Sequence, residues 1–299
     1  MRGRRIAKLL LPIGASFVVC LSGSSGMANA QQPDDDEQSR QIVLAEFLQS
    51  RPTSQKKRTT PVGTTSNSRV SDLLGVTLWR LRPASSKDDI QARLLDHEGD
   101  TDSTLIAERV SSDTPFKEGQ KVRLSIESPR TGYLYVIDRE QYSDGTFSDP
   151  YLIFPTLKTN GGDNAVTAGR LVEIPDQNDK PIYFKMNRSR ADQSAEVLTM
   201  LVTTKPIPNL QLGMKPLKLR PEQFAQWEKA WNAPTKRIEI TKRVGTTYTK
   251  AEMTAGASVT SLLSNNDPPP QTIYRVSSKP GDPALITISL QYEVTKRVE

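Results

Sequence analysis

One cysteine, one histidine and 6% aromatic residues in a chain of 299 leave little of the usual catalytic repertoire. The cysteine, Cys20, lies in the first thirty residues, which read as an export leader. Once they are removed, neither an internal disulfide nor a thiol nucleophile is expected. A zinc protease needs two histidines on one helix face, and a serine triad needs a histidine backed by a carboxylate. His97 alone satisfies neither, and its setting, Asp96-His97-Glu98-Gly99-Asp100-Thr101-Asp102, has the composition of a solvated loop. No Gly-x-Gly-x-x-Gly and no Gly-rich loop ending in Gly-Lys-Ser/Thr occurs, so nucleotide binding by the known phosphate loops has no support. Ser54-Gln55-Lys56-Lys57 matches the Ser-x-x-Lys of penicillin-binding enzymes. It sits in a polar stretch without the companion motifs, where a nucleophile would lack a rigid, partly desolvated setting.

Long apolar runs are missing too. Leu9 to Leu21, interrupted by Pro12 and Gly14, falls short of the roughly 20 residues that cross a bilayer. Preceded by Arg2, Arg4, Arg5 and Lys8 and followed by Ala28-Asn29-Ala30, it is the pattern of a secretory signal peptide over residues 1–30, with the mature chain beginning near Gln31. Losing its four positive charges takes the formal net charge from +6 to +2. The remaining lysines and arginines are scattered through strands that also carry acids, so no nucleic-acid footprint is expected. The expected location is periplasmic or secreted, with membrane attachment only if the leader is retained.

Residues 31–70 are polar, with an acidic run at Asp34-Asp35-Asp36-Glu37 and a basic cluster at Lys56-Lys57-Arg58. This composition predicts a disordered linker. Gln41 to Leu48 is the exception, where Ile42, Val43, Leu44, Phe47 and Leu48 offer a short amphipathic segment able to dock. Past Ser71 the pattern changes to strands. Val122, Leu124 and Ile126 alternate against Lys121, Arg123, Ser125 and Glu127. Ile286, Ile288, Leu290, Tyr292 and Val294 alternate against Thr287, Ser289, Gln291 and Glu293. Tyr133 to Ile137 and Val197 to Val202 are apolar on both faces, which predicts central strands, whereas Val76 to Arg82 predicts an edge or opening strand. Pro221 to Asn232 carries Phe224, Trp227 and Trp231 on one helical stripe, and Thr249 with Glu252 makes a Thr-x-x-Glu capping box for a second helix. These elements predict a mainly β protein: an antiparallel, immunoglobulin-like β-sandwich over residues 71–206, and a C-terminal extension over 207–299 holding one or two helices and closing strands.

One stretch resembles a known family. Phe116-Lys117-Glu118-Gly119-Gln120-Lys121-Val122-Arg123-Leu124, then Gly132-Tyr133-Leu134-Tyr135-Val136-Ile137, Leu152-Ile153-Phe154-Pro155, Ala168-Gly169-Arg170 leading into Val172-Glu173-Ile174-Pro175, and Glu196-Val197-Leu198 before Pro206 follow the order of motifs in the bacterial domain of unknown function 4384. The resemblance covers about residues 113–206. It implies an exported or appended module without an established activity or agreed site, so no catalytic residue is carried over.

The sequence therefore points to a noncatalytic binding or scaffolding module of the bacterial cell envelope, with an envelope protein as its partner. Its candidate partner surface is Tyr142, Phe147, Tyr151 and Phe154, aromatics that flank a turn, since loops carry recognition more often than strands. Two alternatives stand beside it. The first is a hydrolase acting on polysaccharide or peptidoglycan through paired carboxylates, whose spacing is set only in three dimensions. The second is a calcium-dependent adhesion module, because Asp96, Glu98, Asp100 and Asp102 place oxygen donors at alternate positions around Gly99. No other cofactor is expected. Asp138, Asp144 and Asp149 bracket the turn Asp144-Gly145 and read as hairpin chemistry.

Overall fold

Alternation of apolar side chains builds most of the architecture in a computed structural model that describes residues 35–52, 70–96, 103–128 and 130–294. In chain order these residues form helix α1 (Asp35–Ser50), then strands β1 (Val70–Pro83), β2 (Arg93–Asp96), β3 (Ser103–Val110), β4 (Lys121–Glu127), β5 (Gly132–Tyr142), β6 (Tyr151–Phe154), β7 (Ala165–Val166), β8 (Leu171–Ile174), β9 (Phe184–Lys185), β10 (Gln193–Thr203) and β11 (Leu217–Lys218). Helix α2 (Pro221–Trp231), strand β12 (Thr235–Glu239), helix α3 (Lys250–Gly256) and strands β13 (Thr272–Ser278) and β14 (Ala284–Gln291) follow.

The strands pair antiparallel in two sheets. The first runs β12-β13-β1-β3-β2, with β4 on the other side of β1 and both β8 and β9 on β4. The second runs β11-β6-β5-β10-β14, with β7 beside the start of β5. At 14 residues β1 is long enough to serve three partners: Val70 to Val76 pair with β13, Leu78 to Pro83 with β3, and Gly75 to Leu81 with β4. It opens the sheet as expected but lies at its centre, not at an edge. A core between the sheets joins Leu74, Val76, Leu124 and Ile126 of the first to Val136, Leu198, Met200 and Ile288 of the second.

Both outer faces are covered as well. Helix α2 lays Phe224 on Tyr135, Ile137, Leu152 and Leu201 of the second sheet, and Trp227 stacks on Trp231 with ring centroids 5.6 Å apart. Tyr135 accepts the Ile207 backbone N–H at 2.8 Å through its hydroxyl, so its polar tip is satisfied where its ring is buried. On the first sheet Trp79, Leu81, Leu105 and Tyr248 form a separate cluster, and Trp79 donates to Ser125 Oγ at 2.7 Å.

Three sequence expectations are corrected. The polar stretch 31–70 contains the 16-residue helix α1, which buries Val43 and Phe47 against Leu73, Ile238 and Ile273. Burial of Phe47, which is fully enclosed, contributes about 1.5–3 kcal/mol toward the helix's ordering cost. Residues 31–34 and 53–69 lie outside the described residues, as do residues 1–30, where the signal peptide is expected. The division at residue 206 is not a structural boundary: the C-terminal β13 pairs with β1 and β14 pairs with β10, so each completes a sheet begun earlier. The polar face of β4 is not a solvent face either. Arg123, Ser125 and Glu127 are all buried: Arg123 bonds Glu173 of β8, Ser125 accepts from Trp79, and Glu127 accepts from Arg51 just past α1.

Candidate functional site

The hairpin joining β5 to β6 presents the aromatic surface. Asp144-Gly145 makes its turn, with Gly145 at φ 84°, a conformation that favours glycine, and Asp144 accepts both the backbone N–H and the hydroxyl of Thr146. Just after the turn, Phe147 is 42% exposed, and Tyr151, at the start of β6, is 39% exposed. Phe147 is not loose. The Arg139 guanidinium lies 4.6 Å from its ring centre and 4.5 Å from that of Phe224, and it bonds Glu228 of α2 at 2.6 Å. A strand, a hairpin and a helix thus hold one exposed aromatic ring in a set orientation.

The other two predicted aromatics behave differently. Tyr142 is largely buried, donates to Glu140 at 2.8 Å and carries the Arg190 guanidinium 3.8 Å from its ring centre, so it supports the hairpin base. Phe154 is fully buried in the core between the sheets and presents no surface. A register irregularity between Val136 and Ile137 explains this. Leu152 pairs with Ile137 and packs under α2, while Phe154 pairs with Val136 and packs into the core, despite the two-residue spacing that would place both on one face.

Carboxylates gather at the same end of β5. Glu140 and Glu196 are direct partners in the β5–β10 register, with Asp138 two residues along the same face. Burial, reinforced by Asp138, pushes Glu196 up to about 8, and burial, reinforced by Glu140, pushes Asp138 up to about 7. Glu196 accepts from Gln193 at 2.8 Å and Tyr292 at 3.3 Å. Five cavities among the described residues are lined without Asp138, Glu140 or Glu196. Of the acids expected around the turn, Asp144 serves it directly and Asp149 pairs with Lys218 of β11.

The sequence reading missed three buried ion pairs on the outer face of the first sheet. Arg51, just past α1, bonds Glu127 through two 2.6 Å contacts and also donates to the carbonyls of Ser264, Asp267 and Pro268. Arg123 bonds Glu173 at 2.8 Å, and Arg109 bonds Glu252, the capping-box acid of α3. Burial pushes Glu173 up to about 7 against the pull of Arg123. Burial also lowers Arg109 to about 10, which leaves it charged at neutral pH. The Arg51 and Arg109 pairs fix the end of α1, α3 and residues 264–268 to the sheet, while Arg123–Glu173 joins β4 to β8 within it. A signal existed in the regular placement of Arg and Glu on alternate strand positions, but the same pattern describes a solvated face.

For the calcium reading, Glu98, Asp100 and Asp102 lie outside the described residues. Asp96 is buried and accepts from Lys121 Nζ at 2.8 Å. Among the described residues no group of three or more His, Cys, Asp or Glu side chains is placed to hold a metal ion, and no helix is long and apolar enough to cross a membrane. Comparison with protein-family models, with curated proteins and with solved structures finds no match.

Proposed function

We propose that the protein is an exported, noncatalytic binding or scaffolding module of the bacterial cell envelope, periplasmic or secreted, which docks a partner protein through the Phe147–Tyr151 hairpin. The supporting observation is the Arg139 clamp, because an exposed aromatic already held between a strand and a helix loses little side-chain freedom when a partner covers it. The same reading takes the two sheets and their common core as an immunoglobulin-like sandwich. It also takes residues 113–206 as related to the domain of unknown function 4384. Capture from envelope extract with mature protein from Gln31 onward, beside a Phe147→Ala/Tyr151→Ala variant, tests it. A specific protein held by the first and lost by the second, with both equally stable, supports the proposal; a protein held equally by both defeats it.

The cross-strand pair Glu140–Glu196, with Asp138 on the same face and burial raising Asp138 and Glu196, is what speaks for the hydrolase as a second reading, although none of the three lines a cavity described above. Hydrolysis of purified peptidoglycan or polysaccharide by the wild type, abolished in Glu196→Gln, would establish it; no turnover would exclude it.

A further inference from the structure

A second surface, distinct from the hairpin, combines exposed apolar side chains with exposed lysines. Leu157, Phe184 and Met214 come from three separate segments and are 49%, 38% and 63% exposed. The fold brings them together: the Leu157 backbone N–H donates to the Gly213 carbonyl at 2.8 Å, and Phe184 and Met214 line one open cavity of about 230 Å³ with Pro175, Pro181 and Pro216. Lysines surround it. Lys158 and Lys215 line the cavity, and Lys158 Nζ donates to the Lys180 carbonyl at 2.8 Å, which brings exposed Lys180 beside it. The one acid in the lining, Asp179, is buried and accepts from the Asp176 backbone N–H and the Thr159 hydroxyl, so the exposed charges of the lining are lysines only.

From this geometry we infer that the Leu157–Phe184–Met214 patch binds the surface of a membrane rich in anionic phospholipid, independently of any anchoring by the leader. Exposed apolar side chains, here one on a short strand and two in loops, can enter the boundary between headgroups and acyl chains, while flanking lysines rest their stems on the patch and meet lipid phosphates. Charge complementarity selects the anionic surface. Each lysine near it contributes about 1 kcal/mol, or about fivefold in partitioning, and the attraction decays within a Debye length of about 10 Å at 0.1 M salt.

The test is sedimentation of the mature protein with vesicles of phosphatidylcholine containing about one third phosphatidylglycerol, beside pure phosphatidylcholine. The expected result is binding to the anionic vesicles alone, weakened by added salt. Lys158→Gln/Lys180→Gln/Lys215→Gln is expected to lower partitioning by about a hundredfold, and Phe184→Ser/Met214→Ser is expected to abolish it. All five substituted side chains are exposed, so thermal melts of the variants should match the wild type. Failure of the wild type to bind anionic vesicles, or binding that both variants retain, overturns the inference. Specific capture of an acidic protein without vesicle binding overturns it too, by assigning the patch to a protein partner. Hairpin variants at Phe147 and Tyr151 should bind vesicles normally, which separates this outcome from that of the partner proposal.

Discussion

Replacing Arg51 by alanine should unfold more of this protein than any surface substitution, although Arg51 lies just beyond a helix in a stretch that reads as linker. Its side chain is fully buried and its partner Glu127 almost so, with two 2.6 Å bonds between them. Removing the arginine leaves a carboxyl that burial already pushes above its ordinary range, now with no cation to oppose that push. It also orphans the carbonyls of Ser264, Asp267 and Pro268. Breaking one partner of such a pair costs about 3–5 kcal/mol. At about 2–4 °C per kcal/mol for a domain of this size, Tm should fall by about 6–20 °C. Urea unfolding and thermal melts of the protein from Gln31 onward read this directly. Arg51→Met/Glu127→Leu, which removes both charges and keeps apolar volume, should regain the part of the loss due to the uncompensated Glu127 carboxyl, with the three carbonyls still unpaired. A loss below about 1 kcal/mol for Arg51→Ala is what a solvated pair would give, and it would refute the docking of α1.

Three further predictions follow from the site geometry. Gly256→Ala would place a Cβ 2.2 Å from Glu173 Cδ, so it should destabilise the protein by about 1–3 kcal/mol, measured by urea unfolding, and a neutral result would contradict the packing of α3 on the ion pairs. Glu196 sits above its unfolded pKa, so its protonated form is stabilised by folding, and its contribution is present at low pH and lost as pH rises toward 8 and beyond. Glu196→Gln should therefore raise Tm at pH 8.5 relative to the wild type and change it little near pH 4; the opposite ordering would show an ordinary solvated glutamate. Chelation by EGTA should leave Tm unchanged, because Asp96 already serves Lys121, whereas a fall reversed by calcium would support the adhesion alternative.

Local rules made some elements readable and tertiary packing hid the rest. Pro221 at the first turn and the Phe224-Trp227-Trp231 stripe define α2 by themselves, and Thr249 with Glu252 forms the expected capping box. Strand β10 and the tyrosine face of β5 follow from their apolar runs. Strands β2 and β3 are not legible in the sequence, because the acidic stretch between them dominates the local composition. Helix α1 was hidden for a different reason: Ile42 stays 65% exposed while Val43 and Phe47 are buried, so its stripe is narrow and depends on a surface built from β12 and β13. Half of the predicted aromatic site lies at the surface, at Phe147 and Tyr151. The slip in register that sends Phe154 inward has no signature in the alternation of β6 itself.

The proposed recognition of a partner through the hairpin is tested most directly by photo-crosslinking in cells. A photoreactive amino acid at Phe147 is compared with one at Thr287, an exposed position on β14 away from the hairpin. The account predicts a discrete adduct of higher mass from position 147 and none from position 287. No adduct from 147, or the same adducts from both positions, would contradict it.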